Sequence, residues 1–395
     1  MENDAGPGPD TAGSPADAAG AGPGGADTAW AVIAGGGTAG HTLPGIAIAR
    51  ALVARGHDPA TIHFVGSERG SESRLVPDAG FSITLLPGRG IQRSLTLANV
   101  GALWGLLRAL VHALAMLRRH RPAVVVAMGG YASVPCALAA VVLRIPIVVA
   151  EQNAVPGAAN RLTARFAKAA AVAFPGTDLP RAVLTGNPVR PEVLAVDRDR
   201  DRAAARAALG IAEEQTVLLA FGGSLGSLRI NQAVLGALSS WRDHGELTIR
   251  HVIGERDWTT LSTEAASPAP DGVTYVPVRY EDDMPRAFAA ADLVLSRSGA
   301  TTVAELGAIG VGSILVPLPG APGDHQTANA RALVDAGAAV LVPDAELGPE
   351  RLVAEVEALL AEPGRLISMG HAARTTARRD AGDAVAALVE EHARG

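Results

Sequence analysis

The sequence GGGTAGHTLP, Gly35 to Pro44, directly follows the first apolar run of the chain, Trp30 to Ala34. Gly35, Gly37 and Gly40 have the G-x-G-x-x-G spacing of a loop that joins a parallel strand to a helix and approaches a phosphate group. The next residue, His41, is not needed by a phosphate-binding loop. The glycines alone are also compatible with an ordinary strand-to-helix turn, so both interpretations stay open at this point.

The same local pattern opens the second half of the chain, where VLLAFGGSLGS spans Val217 to Ser227. In each half, short apolar segments alternate with helices rich in Ala and Leu, and the charged stretch Arg190 to Gln215 separates the halves. The predicted strands are Trp30–Ala34, Thr61–Val65, Ile83–Leu86, Val124–Met128, Ile147–Ala150, Ala170–Ala173, Val183–Leu184, Val217–Phe221, Thr248–Ile253, Val273–Val276, Leu293–Ser296, Ser313–Val316 and Ala339–Leu341. This alternation predicts an α/β fold with two Rossmann-like, doubly wound parallel-sheet domains that face each other across a cleft.

The composition narrows the class of protein. A chain of 395 residues suits two domains of up to about 200 residues each. The net charge of -6 argues against nucleic-acid binding through bulk charge. Cys136 is the only cysteine, which excludes internal disulfides and cysteine-rich zinc sites and favours a reducing compartment. Residues 1–28 are small, polar and acidic, without the apolar core of a secretory signal, and are predicted to form a disordered tail.

One uncharged window, Ala123 to Leu143, is long enough for a membrane-spanning helix. The sequence MGGYASVP, Met128 to Pro135, interrupts it with glycines and a proline. We therefore predict a strand, a glycine loop and a helix at Pro135–Leu143, and regard a true membrane span as the weaker alternative.

His41 is expected at the start of a helix that begins near Thr42–Leu43, carries Pro44 in its first turn and stops at Gly56. The positive end of the helix disfavours the imidazolium form, so this histidine is suited to accept a proton. A histidine that only caps the helix is an equally weighted alternative.

The stretch SRSGATTVAELGAIG, Ser296 to Gly310, gathers backbone N–H groups and hydroxyls after an apolar strand, which favours a diphosphate site. Glu305, one turn further on, could accept ribose hydroxyls. The alternative is a capping Ser298 followed by an ordinary acidic residue. Further along, His325, Gln326 and Asn329 in APGDHQTANA suit sugar hydroxyls, although a loop that enters a helix also favours such residues.

The acidic sequence YEDDM, Tyr280 to Met284, resembles a metal site but precedes a predicted helix. Helix capping by Asp282 and Asp283 explains it, and no second carboxylate cluster is present to complete a site. No metal site is predicted.

Together these motifs resemble the MurG-type glycosyltransferases over roughly residues 30 to 390. The segments that match, in order, are GGTAGH, MGGYAS, EQNAVPGAAN, GNPVR, GGSLGS, SRSGATTVAE and DHQTANA. The resemblance implies a GT-B fold. It divides the chain into the tail at 1–28, an acceptor- and membrane-facing domain at 29–190 that a helix at 379–395 rejoins, and a UDP-sugar-binding domain at 191–378.

The resemblance also implies a function. The expected reaction is inverting, metal-independent transfer of N-acetylglucosamine from UDP-N-acetylglucosamine to the 4-hydroxyl of the N-acetylmuramoyl group of lipid I, which gives lipid II for peptidoglycan synthesis without a cofactor. The expected location is peripheral, at the cytoplasmic face of the bacterial cell membrane. The implied partners are the two substrates, the anionic inner leaflet and other cell-wall synthesis proteins.

The site residues implied by the resemblance fall into four groups. The candidate catalytic bases are His41 first and Glu151 second. The donor-binding set is Thr38, Ala39, Gly40, Asn153, Arg190, Ser224, Glu281, Ser298, Ala300, Thr301, Glu305, His325 and Gln326. The acceptor-binding set is Gly37, Thr38, Tyr131, Asn153 and Asn160, with the first glycine loop expected to cradle the acceptor's diphosphate. The membrane-contacting set is Leu103, Trp104 and Leu107.

Three positions depart from the family pattern. Ala39 replaces a usual glycine, which is tolerable if its φ is negative. Ala150 stands where many members have a histidine, which strengthens the case for His41. Leu225 stands where glutamine is frequent, so one polar contact is expected to be absent.

The membrane prediction depends on the segment from Arg89 to Arg121, in which apolar residues lie among arginines. Such a segment suits an anionic leaflet. Much of the same helix must also pack inside, and a purely structural helix with a basic end is the alternative.

Other functions remain as alternatives. A diacylglycerol glycosyltransferase shares the donor loops, and the acceptor motifs argue against it. A UDP-sugar epimerase would need no membrane surface, and a dinucleotide oxidoreductase would bind flavin or NAD. A non-enzymatic cell-wall scaffold would need an inactive site, and no key position is lost.

Overall fold

Two parallel sheets form the framework of the computed structural model, which describes residues 28–394 except 69, 88–97, 224–225 and 266–271. The strands of the first sheet are β1 (Ala31–Gly35), β2 (Ile62–Ser67), β3 (Ser82–Leu86), β4 (Val124–Gly129), β5 (Ile147–Glu151), β6 (Ala169–Val172) and β7 (Ala182–Leu184). Those of the second are β8 (Thr216–Phe221), β9 (Leu247–Val252), β10 (Thr274–Val278), β11 (Leu293–Ser296), β12 (Gly312–Leu315) and β13 (Ala339–Leu341). Every strand predicted from the sequence is present, which confirms the α/β prediction.

Helices cover both sheets. In the first half they are α1 (Ala39–Ala54), α2 (Glu72–Asp78), α3 (Ala98–His120), α4 (Ser133–Val142) and α5 (Ala158–Ala164). Further along they are α6 (Pro191–Leu194), α7 (Arg198–Ala208), α8 (Leu228–Ala237), α9 (Glu255–Ala265), α10 (Met284–Ala290), α11 (Ala300–Ile309), α12 (His325–Asp335), α13 (Pro349–Ala361), α14 (Arg365–Thr376) and α15 (Ala381–His392).

The strand order puts the predicted loops at the places where such sheets bind ligands. The first sheet runs β3-β2-β1-β4-β5-β6-β7 and the second runs β10-β9-β8-β11-β12-β13, with parallel pairing between the strands. In each sheet the order reverses between two central strands, β1 and β4 or β8 and β11. Ligands of doubly wound sheets bind outside the carboxyl ends of the strands at that reversal. The two glycine loops follow β1 and β8, and the SRSGATT segment follows β11.

Helix α1 begins earlier than the sequence suggested. It starts at Ala39, with Thr38 in an extended conformation at its N-cap, so Pro44 lies inside the helix instead of in its first turn. Proline has no N–H, and the Gly40 carbonyl four residues earlier therefore lacks its usual partner in the helix. Ala39 is absent from the residues with positive φ, so its methyl group is accommodated as expected.

The C-terminal helix packs on the first sheet. Val385 and Val389 of α15 share a buried cluster with Ile48 and Leu52 of α1. Arg55, at the end of α1, forms ion pairs with carboxylates of α15 at 2.7 and 2.8 Å. The chain thus crosses back from the second sheet to the first.

Within the described part of the chain, no helix combines the length and the hydrophobicity that crossing a bilayer requires. The uncharged window that resembles a membrane span is divided between β4, a turn and α4. This confirms the strand–loop–helix prediction, with α4 starting two residues earlier than expected.

A buried ion pair holds α7 against the second sheet. The Arg206 side chain is 1% exposed and donates to Asp292 Oδ2 at 2.6 Å and to the Gln215 carbonyl at 2.6 Å. Asp292 in turn accepts the Val217 N–H at 2.8 Å, at the start of β8. Removing one member of such a pair leaves the other charge buried without its partner.

We predict that Arg206→Leu lowers the free energy of unfolding by about 3–5 kcal/mol, measured by urea denaturation. The matched control is Arg200→Leu on the same helix, whose side chain is 67% exposed beside Asp201. That change should cost less than about 1 kcal/mol, because exposed ion pairs contribute little. Equal effects of the two substitutions would contradict the assignment.

Candidate active site

The first glycine loop rests on a buried carboxylate that sequence reasoning missed. Glu72, the first residue of α2, is 1% exposed. It accepts the Gly37 N–H, at 3.1 Å from Oε1 and 2.9 Å from Oε2, and its Oε1 also accepts the Ser67 N–H and hydroxyl, each at 2.8 Å. The Gly37 N–H is therefore already engaged by Glu72.

Three glycines make room for this carboxylate. A Cβ atom at Gly36, Gly66 or Gly70 would overlap the Glu72 side chain. The signal in the sequence was the segment GSERGSE, in which two glycines precede an acidic residue, but their common contact is visible only in three dimensions.

His41 lies in the first turn of α1, at the carboxyl edge of the first sheet. Its Nδ1 is 3.4 Å from the Thr38 hydroxyl, and its Nε2 lies beside Gly129, where a Cβ would be 3.2 Å away. Burial lowers the pKa of His41 below its ordinary value, while the charges of Glu151 and Glu72 oppose that shift. A lowered pKa favours the neutral ring, which is the form that can accept a proton.

Glu151, the second candidate base, is engaged in four hydrogen bonds. It is 3% exposed at the end of β5. Oε1 accepts from the N–H and the side-chain amide of Asn153 at 2.9 and 3.2 Å, and Oε2 accepts from the Gly157 N–H at 3.0 Å and from Asn160 at 2.9 Å. This arrangement shapes the EQNAVPG loop and leaves little capacity for a substrate proton.

The two halves of the chain meet at this loop. Asn329 of α12 is fully buried, accepts the Ala154 N–H at 2.8 Å and donates to the Asn153 side chain at 3.2 Å. A second contact joins the Thr301 hydroxyl of α11 to the Gly40 carbonyl at 3.5 Å. Asn153, predicted to contact both substrates, thus lies where the two domains touch.

On the donor side, Arg190 and Glu305 form an ion pair, which the sequence did not predict. Arg190 donates from Nε at 2.9 Å and from a terminal nitrogen at 2.7 Å, both to Glu305 Oε1. The Glu305 side chain is 8% exposed, and burial raises its pKa while Arg190 opposes the shift. The contacts to Oε1 leave Oε2 as the oxygen that can receive a ligand.

The start of α11 has no side-chain cap. Gly299 occupies the N-cap position, so the alternative of a capping Ser298 is wrong. Ser298 is fully buried, and its hydroxyl donates to the Gln326 carbonyl at 2.9 Å, which ties two loops together. Ala300 and Thr301 form the first turn, where backbone N–H groups lack helical partners.

His325 and Gln326 begin α12 and face the first domain. His325 Nδ1 lies 2.9 Å from the Pro322 carbonyl and donates to it, which leaves Nε2 as the acceptor of the neutral ring. The Gln326 side-chain oxygen accepts the Leu318 N–H at 2.9 Å. A positive charge on His325 would lower the pKa of His41.

The acidic YEDDM sequence is a helix start. Asp283 accepts the Arg286 N–H at 3.0 Å and caps α10, as expected, whereas Asp282 makes no cap. Glu281 is paired with Arg250 at 2.6 Å. Among the residues described, no group of three or more histidines, cysteines or carboxylates could hold a metal ion.

The remaining candidate residues differ in burial and in their hydrogen-bond partners. Tyr131 donates to the Pro87 carbonyl at 3.1 Å, and burial raises its pKa. Asn160 is buried and directed at Glu151. Leu107 is 49% exposed on α3. Ser224 and the side chains of Leu103 and Trp104 lie outside the described residues.

Comparisons with known proteins agree with this geometry. Residues 31–172 match the glycosyltransferase family 28 N-terminal domain, and residues 217–385 match the family 28 C-terminal domain. The chain is 43% identical to the UDP-N-acetylglucosamine–N-acetylmuramyl-(pentapeptide) pyrophosphoryl-undecaprenol N-acetylglucosamine transferase of Alkalilimnicola ehrlichii, over 92% of this chain and 99% of the relative. It is 40% identical to the transferase of the same name from Desulforudis audaxviator, over 91% and 97%.

Among solved structures, MurG of Acinetobacter baumannii superposes with a TM-score of 0.71 at 30% identity, covering 91% of this chain and 98% of that protein. The likeness extends over both domains. The chain therefore is a glycosyltransferase of GT-B fold that belongs to the MurG family.

Proposed function

We propose that this glycosyltransferase moves N-acetylglucosamine from UDP-N-acetylglucosamine to the 4-hydroxyl of the N-acetylmuramoyl group of lipid I, giving lipid II. The observation that carries the proposal is that His41 in the first turn of α1 and His325 at the start of α12 lie at the domain boundary, where Thr301 contacts Gly40 and Asn329 contacts Asn153. One ring is placed to take the acceptor proton, and the other lies beside the proposed sugar position. The names of the relatives support the choice of substrates.

The donor is bound by the second domain. Glu305 Oε2 accepts a ribose hydroxyl, while Arg190, held by Oε1, presents its remaining N–H groups to the diphosphate. The uncapped first turn of α11, at Ala300 and Thr301, adds backbone N–H donors and the positive end of the helix dipole. The backbone near Glu281 faces uracil, and His325 and Gln326 face the sugar hydroxyls.

The reaction proceeds by direct displacement. The acceptor oxygen attacks the anomeric carbon, and UDP leaves from the opposite face, so the configuration inverts. Negative charge that develops on the leaving diphosphate is stabilised by Arg190 and by the N-terminus of α11, without a metal ion. His41 removes the proton from the attacking hydroxyl, since Glu151 is already saturated with hydrogen bonds.

The lipid acceptor requires a membrane-facing surface, which we place on α3, α4 and α5. Exposed apolar side chains occur on these helices and in the turn that follows α5, and α4 contacts both α3 and α5. The exposed fractions are 49% for Leu107, 58% for Val111, 62% for Val142, 39% for Leu162 and 52% for Phe166. The exposed cations Arg144, Arg161 and Arg165 lie near them in the chain and favour an anionic leaflet. The protein is thus peripheral, at the cytoplasmic face of the membrane.

The direct test is a transfer assay in the presence of EDTA. Purified protein, radiolabelled UDP-N-acetylglucosamine and a lipid I analogue should give a labelled disaccharide lipid, and the rate should be the same with added Mg²⁺. A matched reaction with a diacylglycerol acceptor should give no labelled lipid. Absence of product from the lipid I analogue would refute the proposed function, and loss of product in EDTA would refute its independence from metals.

A second prediction concerns the base. His41→Ala should lower kcat by about 10²–10⁴-fold, the usual contribution of a general base, with UDP affinity unchanged by calorimetry. Because the pKa of His41 is lowered, wild-type kcat/KM should decline only below about pH 6.5. That acidic decline should disappear in the variant. The exposed His371 provides the control, since His371→Ala should keep both rate and profile. A folded His41→Ala protein with normal turnover would exclude this role.

The membrane surface is tested by flotation with phosphatidylglycerol vesicles. Val142→Glu/Phe166→Glu should reduce the bound fraction several-fold, because each carboxylate must be removed from water and is repelled by the anionic surface. Ile367→Glu, at a 68% exposed position on α14, is the matched control and should bind like wild type. Equal flotation of all three proteins would place the membrane contact elsewhere.

A further inference from the structure

Glu72 is a buried carboxylate that the proposed reaction does not use. We propose that Glu72 is a positioning residue, which fixes the first glycine loop and thereby holds His41 in its reactive orientation while placing a negative charge on the small cavity that both side chains line. The inference rests on the proposed function of His41 as the base. Glu72 contacts the loop backbone and need not touch either substrate.

The contacts of Glu72 connect two loops that otherwise have few constraints. Gly37 lies one residue before Thr38, the N-cap of α1, and Ser67 ends β2. By accepting both N–H groups, the carboxylate fixes the spacing between the two loops. The N-cap in turn sets the start of α1, and His41 is the third residue of that helix. A loop with three glycines needs such an external anchor, because glycine itself imposes little conformational restriction.

The charge of Glu72 has a separate effect. The charged or titratable groups that act on His41 are Glu151 from β5, Glu72 from α2 and His325 from α12. The two carboxylates raise the pKa of His41 against the larger effect of burial, and His325 lowers it. Glu72 thus keeps the ring basic enough to take a proton, and it stabilises the imidazolium that forms during transfer.

The negative charge of Glu72 also limits which ligands the first glycine loop can bind. A carboxylate directly beneath Gly37 uses one loop N–H and repels an anion placed above it. The first loop is therefore suited to present His41 to a neutral sugar hydroxyl. This differs from the expectation that it cradles the acceptor's diphosphate.

The test compares three variants of the full-length protein in the lipid I assay. Glu72→Gln keeps the shape but removes the charge and turns an N–H₂ group toward a donor. Its kcat should fall about 10²-fold, the effect of a displacement near 1 Å, with donor KM within twofold. The acidic limb of its pH–rate profile should move to lower pH, because the pKa of His41 falls when a negative neighbour is lost.

Two further variants separate position from charge. Ser67→Ala removes the hydroxyl at 2.8 Å but keeps the carboxylate, so its acidic limb should stay at the wild-type pH. Glu72→Asp keeps the charge on a shorter side chain, so kcat should fall while the limb stays close to wild type. Folding of each variant is checked by UDP binding and thermal melting. If Glu72→Gln does not fold, the kcat of the Glu72→Asp protein decides whether Glu72 positions the loop.

Wild-type kcat in a folded Glu72→Gln or Glu72→Asp protein would overturn the inference. A reduced kcat with an unshifted acidic limb in Glu72→Gln would overturn its electrostatic part. Failure of the proposed function would look different, because the wild-type protein itself would then form no disaccharide lipid.

Discussion

A buried carboxylate must be satisfied by hydrogen bonds, and this constraint organises the first domain around His41. Glu72 and Glu151 are each at most 3% exposed. Glu72 takes its donors from the loop after β1 and from the end of β2, and Glu151 takes donors from the loop that follows β5. The glycine loop and the EQNAVPG loop are therefore held by ionic anchors. Burial lowers the pKa of His41, and the charges of the two carboxylates oppose that shift.

The second domain supports its own glycine loop in a related way, through an amide. Asn231 of α8 donates to Asp257 at 3.0 Å and to the Ile253 carbonyl at 3.0 Å, beside the Gly226 backbone. Its oxygen lies 3.0 Å from Nε2 of His251, whose pKa burial lowers to about 3. The Asp257 carboxylate thus lies directly beside the loop, where a Cβ atom at Gly226 would be 3.2 Å from its Oδ2.

The sequence predicted the helices and strands well, but it did not predict which side chains pair with each other across the fold. Strands such as VVVAMG are recognisable because parallel strands are buried on both faces and read as continuous apolar runs. The start of α1 was misplaced because Pro44 was taken as a first-turn residue, whereas the helix tolerates it five residues after Ala39. Arg190 and Glu305 were both predicted as ligand contacts, but their ion pair joins residues 115 positions apart. Glu72 was missed for the same reason, since local patterns carry no information about a partner 35 residues away.

Pro44 also leaves a free backbone carbonyl at the boundary between the two domains. Pro44 deprives the Gly40 carbonyl of a helical partner, and the hydroxyl of Thr301 reaches that carbonyl from the second domain. Thr301 belongs to the α11 turn at which we place the donor diphosphate. A ligand that draws this hydroxyl away would break the contact with the α1 turn that carries His41. The Asn153–Asn329 pair would still join the two halves.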